Sequence, residues 1–181
     1  VTITSLNGKL SFTQSSGGLA TGLSSYRTKS NFTWIGFSGL TSERVPEDET
    51  GRISEKLASE YNCIPVDLTE NAINQYYNGF SNNTLWPLFH YFPVYTSYSE
   101  ETWQTYKEVN EKFCDEILKK ASGDDMIWIH DYQLMLLPQM IREKLPDARI
   151  GFFLHIPFPS SEVFRRLPYR KEILEGILGA D

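Results

Sequence analysis

Short apolar runs alternate with amphipathic segments along most of the chain. The apolar runs predict strands at residues 9–13, 33–37, 63–68, 124–129 and 149–154. Segments with apolar residues at helical spacing predict helices at 19–29, 52–61, 69–77, 100–121, 133–144, 161–167 and 170–178. Strands that alternate with helices form right-handed βαβ crossovers, so the pattern predicts an α/β fold with a largely parallel sheet.

Two of the predicted strands end in residues that can exchange protons. The strand at 124–129 runs into His130 and Asp131, and the strand at 149–154 runs into His155. Parallel sheets bind ligands outside the carboxyl ends of their strands. Asp131 could act as a base or bind a hydroxyl group, and either histidine could donate to a developing negative charge or to a sugar hydroxyl.

A simpler interpretation exists for two of these three residues. Asp131 could cap the helix that starts near Tyr132, and His130 could be a buried core residue. His155 is harder to explain in this way, because Pro157 and Pro159 follow it and force an extended loop at the rim of the sheet. The two histidines and the aspartate could also suggest a metal site, but their positions in the sequence do not have the spacing typical of metal ligands.

Composition and charge limit the classes of protein to which this chain can belong. A chain of 181 residues with 40% hydrophobic and 22% charged residues has the composition of an ordinary globular domain with its own core. The net charge of -6 argues against nucleic acid as the main partner. Cys63 and Cys114 have no metal-ligand spacing, and no signal peptide or transmembrane run is visible. We therefore expect reduced thiols, a cytoplasmic location and no association with membranes.

A double glycine lies between the first predicted strand and the first predicted helix. Gly17 and Gly18 let the backbone approach a ligand closely, and the N–H groups of the following helix suit a phosphate or diphosphate. The spacing fits neither the dinucleotide fingerprint nor the P-loop. A tight turn without a ligand remains the alternative.

An aromatic block extends from Tyr76 to Tyr91 and interleaves rings with amides and a glycine. Such a composition suits a sugar, whose C–H face packs on aromatic planes while its hydroxyls bond to polar groups. The alternative is a surface aromatic cluster that packs under a loop.

Five motifs together carry a resemblance to a known family. They are Gly17-Gly18-Leu19, the aromatic block, WIHDYQLMLLP at 128–138, GFFLHIPFPSSEVFRRLP at 151–168, and the ending Ile177-Leu178-Gly179-Ala180-Asp181. In these motifs the chain resembles the trehalose-6-phosphate synthase family over nearly its whole length.

The resemblance implies a Rossmann-like domain with helices on both faces, the amino-terminal half of a two-domain B-type glycosyltransferase. Such an enzyme moves glucose from UDP-glucose to glucose 6-phosphate with retention, gives trehalose 6-phosphate and UDP, and requires neither a metal nor a cofactor. Residues 1–181 would form one acceptor-binding domain, with a truncated first strand and without the carboxy-terminal nucleotide-sugar domain. We expect such a fragment to be inactive alone. A homo-oligomer and a trehalose synthase complex both stay open.

The resemblance also implies roles for individual residues. The acceptor-binding residues are Trp34, Tyr77, Trp86 and Asp131, and the donor-binding residues are Gly17, Gly18 and His155. Asp131 and His155 are the catalytic residues. Asp131 would position the acceptor in a front-face reaction in which the leaving phosphate takes the acceptor's proton, and His155 would bond to the donor sugar.

Three alternatives remain at this point. The first is another sugar-nucleotide transferase, such as a sucrose-phosphate or glucosylglycerol-phosphate synthase, although the aromatic block favours trehalose. The second is a non-catalytic regulatory subunit of a trehalose synthase complex that senses sugar phosphates; the presence of Tyr77, Trp86, Asp131 and His155 argues against it. The third is an interaction domain whose polar rim residues only cap helices.

Overall fold

The computed structural model describes residues 1–6, 9–14, 18–24, 32–45 and 49–181. These residues form two compact units, Val1–Glu70 and Asn71–Asp181, and each unit is considered by itself. The expectation of a single domain over 1–181 stays a prediction. In the described ranges, no helix is both long and apolar enough to cross a membrane.

The first unit combines a hairpin with a βαβ arrangement. Strands β1 (Thr2–Leu6) and β2 (Lys9–Thr13) pair antiparallel, and helix α1 covers Gly18–Ser24. Strand β3 (Trp34–Gly36) and strand β4 (Cys63–Pro65) pair in parallel, with helix α2 (Thr50–Tyr61) between them in the chain. The β3-β4 pair agrees with the predicted parallel sheet, whereas the hairpin departs from it.

Helix α2 follows from its apolar spacing. Ile53 and Leu57 lie four residues apart on one face and are buried together with Ile3 and Leu40. The helix ends at Asn62, which adopts the left-handed conformation with φ 52°, as asparagine does more readily than most residues.

The second unit has a helical layer that extends well beyond the predicted helix at 69–77. Helix α3 (Glu70–Ile73) continues as a π-helical segment (Asn74–Leu85) and then as helix α4 (Trp86–Phe89). Helix α5 (Glu100–Leu118) packs against this segment. The interpretation of the aromatic block as a cluster under a loop is therefore wrong, because its backbone is helical and Phe80, Leu85 and Phe89 are buried.

The sheet of the second unit is formed by two parallel strands. Strands β5 (Met126–His130) and β6 (Arg149–Phe153) pair so that Trp128 faces Gly151 and His130 faces Phe153. Helix α6 (Leu137–Lys144) connects them, and helices α7 (Ser161–Phe164) and α8 (Arg170–Ile177) follow. These elements confirm the strand and helix order predicted for this part of the chain.

The predicted helix at 133–144 is interrupted in the structure. A 3-10 turn covers Tyr132–Leu134, and α6 begins only at Leu137. Pro138 explains the difference, because proline is accepted in the first turn of a helix but disrupts a helix interior.

Helix α8 and the turn after it approach α6 closely at two glycines. A Cβ atom at Gly176 would lie 2.4 Å from the carbonyl oxygen of Met135, and one at Gly179 would lie 2.3 Å from the backbone nitrogen of Gln139. Both neighbouring atoms belong to the backbone and cannot rotate away. The two glycines therefore set the distance between these segments.

We expect Gly179→Ala to lower the free energy of unfolding by about 1–3 kcal/mol, because the backbones must separate to admit the methyl group. Urea denaturation of the chain measures this loss. Gly123→Ala is the matched control, since a Cβ atom at Gly123 meets nothing within 4 Å. Equal stability of the two variants would contradict the close packing.

Candidate active site

The ends of β5 and β6 bring three predicted site residues together. His130 is the last residue of β5 and lies beside Phe153, the last residue of β6. The chain then turns at Asp131, whose N–H donates to the carbonyl of Phe153 at 2.7 Å. His155 follows two residues after β6, and its N–H donates to Oδ1 of Asp131 at 3.2 Å. The carboxyl ends of the two strands thus form one polar edge.

Asp131 has an unusual backbone conformation, with φ 76° and ψ 171°. This region is occupied almost only by glycine, and a side chain there costs on the order of 1–3 kcal/mol. The carboxylate offsets part of that cost, because Oδ1 accepts hydrogen bonds from the N–H groups of Tyr132, at 2.9 Å, and of His155. Asp131 is therefore the predicted cap. Every hydrogen bond described for its carboxylate goes to Oδ1, so Oδ2 is available to a ligand.

The turn that carries Asp131 is held from helix α5. The Tyr106 hydroxyl donates to the carbonyl of Tyr132 at 2.8 Å and accepts from the N–H of Met135 at 3.0 Å. Asn110, one helical turn later, donates to the carbonyl of Gln133 at 3.1 Å. Tyr106 and Asn110 are both fully buried. This support was not predicted from the sequence, although polar groups on the buried face of an amphipathic helix could have indicated it.

The imidazole rings of His130 and His155 form a pair. Nδ1 of His130 lies 3.1 Å from Nε2 of His155, and the ring planes are 26° apart at a centroid distance of 5.3 Å. Burial lowers the pKa of His130, the nearby His155 lowers it further, and Asp131 acts in the opposite direction. The native protein therefore favours neutral His130.

We expect the stability of the chain to fall on acidification below about pH 6.5, the ordinary pKa of histidine. Because the folded state lowers the pKa of His130, the unfolded chain binds more protons in this range, so the free energy of unfolding decreases as the pH decreases. His130→Asn removes this titration and should reduce the decrease. Urea denaturation at pH 7.5 and pH 5.5 measures it; an identical decrease in both proteins would contradict the assignment.

Tyr77 lies on the π-helical segment and points away from the core. Its side chain is 44% exposed, whereas the neighbouring Tyr76 is buried. The pKa of Tyr132 is raised to about 12 by burial first, and then by Tyr77 and Asp131. The hydroxyl of Tyr132 also donates to Oδ1 of Asn82 at 3.0 Å. Tyr132 therefore links the π-helical segment, which carries Tyr77, to the Asp131 turn.

Trp86 is presented at the start of α4. Its ring is 40% exposed and stacks on His90 at 4.0 Å, while Nδ1 of His90 bonds to the carbonyl of Trp86. Within residues 71–181, no direct bond or ring contact between Trp86 and either Asp131 or His155 is described.

The loop after His155 contacts the α4 region at two points. The ring of Phe158 packs edge-on against Phe89 at 5.4 Å, and the hydroxyl of Tyr91 accepts from the N–H of Ser160 at 2.8 Å. The helix that carries Trp86 is therefore packed against the loop that leaves the polar edge.

The remaining predicted site residues belong to the first unit. Trp34 is the first residue of β3 and lines a cavity of about 120 Å³ with Phe32, Tyr61 and Asn62, among others of that unit. Gly18 is the first residue of α1 and is exposed, and Gly17 lies outside the described residues. The prediction that Trp34, Gly17 and Gly18 join the residues of the second unit in one site stays a prediction.

No group of three potential metal ligands occurs among the described His, Cys, Asp and Glu side chains. Cys63 lies in β4 and Cys114 in α5, and neither forms a disulfide. The polar edge itself presents a carboxylate oxygen and two paired imidazoles.

Comparisons with known proteins give consistent matches. The UDP-forming alpha,alpha-trehalose-phosphate synthase A of Dictyostelium discoideum is 54% identical over 172 residues, which cover 95% of this chain and 23% of that protein. A Burkholderia xenovorans alpha,alpha-trehalose-phosphate synthase (UDP-forming) in complex with glucose-6-phosphate has a TM-score of 0.74 and 34% identity, over 92% of this chain and 36% of that one. A second solved structure, "Trehalose-6-phosphate from E. coli bound with UDP-2-fluoro glucose", has a TM-score of 0.78 and 34% identity. The match covers 94% of this chain and 37% of that one.

These matches confirm the resemblance to trehalose-6-phosphate synthases and the predicted fold class, the α/β Rossmann-like half of a B-type glycosyltransferase. The chain spans 23% of the length of the Dictyostelium protein and 36% and 37% of the two solved chains. The family model described as glycosyltransferase family 20 matches residues 2–181. With nearly every residue covered by that model, the chain belongs to glycosyltransferase family 20.

Proposed function

We propose that this chain provides the acceptor-binding part of a UDP-forming alpha,alpha-trehalose-phosphate synthase. The reaction is the transfer of glucose, with retention, from UDP-glucose to glucose 6-phosphate, which gives trehalose 6-phosphate and UDP. The observation that carries the proposal is the polar edge, where Asp131 and His155 are joined by a hydrogen bond at the ends of two parallel strands. This is where α/β sheets bind their ligands, and relatives of the same family carry that activity in their names.

The acceptor would contact Asp131 and the exposed aromatic residues. Oδ2 of Asp131 is suited to accept hydrogen bonds from sugar hydroxyls, because Oδ1 already serves the backbone. Trp86 presents a partly exposed ring that suits the C–H face of a glucose ring, and the partly exposed Tyr77 would bond through its hydroxyl to an oxygen of the acceptor. We propose Trp34 as a further acceptor contact, supplied by the first unit.

The donor would lie beside His155 and the double glycine. We propose that an imidazole N–H of His155 would donate a hydrogen bond to the transferred sugar, and we keep Gly17 and Gly18 as donor-binding residues on the strength of the family resemblance. The bond from the anomeric carbon to the UDP oxygen breaks as the bond to the acceptor oxygen forms on the same face. The proton of the acceptor hydroxyl passes to the leaving phosphate, so no protein group has to become a covalent nucleophile.

The cellular location and the assembly of the protein are proposed from the sequence alone. The cytoplasmic location stays a prediction from the sequence, as do assembly into a homo-oligomer and assembly into a trehalose synthase complex. The donor half of the site, with the groups that grip UDP, is proposed to come from a carboxy-terminal nucleotide-sugar domain. On this basis residues 1–181 alone should bind glucose 6-phosphate weakly and transfer no glucose.

Calorimetric titration of glucose 6-phosphate into the complete natural protein, with and without UDP, tests the acceptor assignment. We expect Trp86→Ala and Tyr77→Phe to weaken binding at least about 10-fold, the factor that corresponds to one lost contact of about 1.4 kcal/mol. Tyr95→Phe is the matched control, because Tyr95 is 76% exposed and outside the proposed pocket. Unchanged binding in both site variants would overturn the acceptor assignment and favour the interaction-domain alternative.

A further inference from the structure

We propose that His130 is a positioning residue for the transfer reaction: it holds the imidazole ring of His155 in one orientation and one tautomer. The inference rests on the proposed function, because the role of His155 at the donor sugar belongs to that proposal. His130 does not have to touch the substrate, because it acts through the ring of His155.

His155 is held at three points, one on its backbone and two on its ring. Its backbone N–H donates to Asp131 Oδ1 at 3.2 Å, and its ring Nε2 lies 3.1 Å from Nδ1 of His130. The ring of Phe153 also packs on the ring of His155, at a centroid distance of 4.6 Å. His155 is otherwise exposed, and among the described contacts the one with His130 is the hydrogen bond to a ring nitrogen, so it is the contact that selects a ring orientation. The ring of His130 is in turn held between its neighbours on the sheet, with Trp128 at 4.7 Å and Phe153 at 6.5 Å. The hydrogen bond therefore restrains the exposed ring of His155 through His130, a residue of the sheet.

The hydrogen bond couples the tautomers of the two rings, because Nδ1 of His130 and Nε2 of His155 share one proton. In a neutral pair, one ring nitrogen donates and the other accepts. If Nδ1–H of His130 donates, Nε2 of His155 is the acceptor and the proton of His155 lies on Nδ1. In that arrangement Nδ1–H of His155 is left to donate to a sugar hydroxyl or a phosphate oxygen. In the part of the chain that the structure describes, no other group is recorded as bonded to Nδ1 of His155.

The charges around the pair are consistent with this neutral arrangement. Besides burial, two neighbouring groups shift the pKa of His130. His155, across the hydrogen bond, lowers it, and Asp131, next to it in the chain, raises it. Two positively charged rings with these nitrogens 3.1 Å apart would repel each other, which agrees with a neutral His130.

Nitrogen NMR of the chain tests the tautomer directly, because the sequence has three histidines and the third, His90, bonds elsewhere. At pH 7.5 we expect the proton of His130 on Nδ1 and that of His155 on Nδ1. His130→Phe keeps an aromatic ring but cannot donate, so His155 should revert to the mixture of tautomers typical of free imidazole. A proton on Nε2 of His155 in the wild type, or an unchanged tautomer in His130→Phe, would overturn the proposal.

Steady-state kinetics of the complete natural protein test the consequence. We expect His130→Phe to lower kcat/KM for UDP-glucose about 10-fold, the effect of one lost hydrogen bond. His130→Asn should restore most of the loss, because its amide places an N–H donor where Nδ1 of His130 lies. Met126→Leu, on the same strand and highly exposed, should behave as the wild type.

The double variant separates the failure of this inference from failure of the proposed function. If His130 acts through His155, adding His130→Phe to His155→Ala should cost nothing further. Additive losses would show that His130 acts independently and would overturn the positioning role, while the transferase assignment would stand. Wild-type kinetics in His155→Ala would overturn both the positioning role and the donor assignment of His155.

Discussion

Replacing Asp131 with asparagine is expected to lower the turnover of the complete natural protein about 100-fold or more while leaving its fold intact. Asparagine keeps an oxygen that can accept from the N–H groups of Tyr132 and His155, so the turn after β5 should persist. It removes the negative charge that Oδ2 would offer to the acceptor hydroxyls. Preorganised electrostatic contacts of this kind contribute about 100- to 1,000-fold to rate. Rates of UDP release and urea denaturation of the same protein separate the two effects.

Glycine and alanine at position 131 supply the controls for this prediction. Both remove the carboxylate, but only glycine accepts φ 76° and ψ 171° without strain. Asp131→Gly should therefore be more stable than Asp131→Ala by about 1–3 kcal/mol, and both should be inactive. An asparagine variant that is folded and fully active would reduce Asp131 to a helix cap.

Tyr106→Phe should lower the free energy of unfolding by about 2–4 kcal/mol. The hydroxyl of Tyr106 is fully buried and satisfies two backbone groups, the carbonyl of Tyr132 and the N–H of Met135. Phenylalanine fills the same space but leaves both groups without a partner, and each unpaired buried group costs about 1–3 kcal/mol. Urea denaturation of the chain at pH 7.5 measures the loss.

Tyr95→Phe controls for the loss of a hydroxyl as such, because Tyr95 is 76% exposed and its variant should stay within about 0.5 kcal/mol of the wild type. The effect of Tyr106→Phe should also reach the polar edge, since the carbonyl of Tyr132 directly follows Asp131. Wild-type stability in Tyr106→Phe would mean that the turn after β5 does not depend on α5.

Much of the polar edge could be predicted from the sequence, because two local signals coincide there. The apolar runs of β5 and β6 determine where the strands lie, and the residues that end them must then meet at one edge. The proximity of Asp131 and His155 follows from this alone. The capping role of Asp131 could also be predicted, because aspartate before a helical turn is a common cap.

Other features depend on contacts between distant residues and left weaker local signals. The helix through Trp86 runs past Gly79, a residue that disfavours helices, and is stabilised by packing of Phe80 on Trp103 and Tyr106. A Cβ atom at Gly79 would lie 2.8 Å from Thr102 of α5, so glycine is needed there for close packing. The pairing of β1 with β2 is different, because it joins residues 2–6 to residues 9–13, and the Asn7-Gly8 sequence between them is a local hairpin signal that the strand prediction did not use.

The most direct test of the account is the product formed by the complete natural protein from UDP-glucose and glucose 6-phosphate, identified by NMR. We predict stoichiometric UDP and an α,α-linked disaccharide phosphate, with the anomeric configuration of the donor retained, and loss of the product in Asp131→Asn. Release of UDP without a disaccharide, or transfer to glucose 6-phosphate that persists in a folded Asp131→Asn protein, would contradict the assignment of this edge as the transferase site.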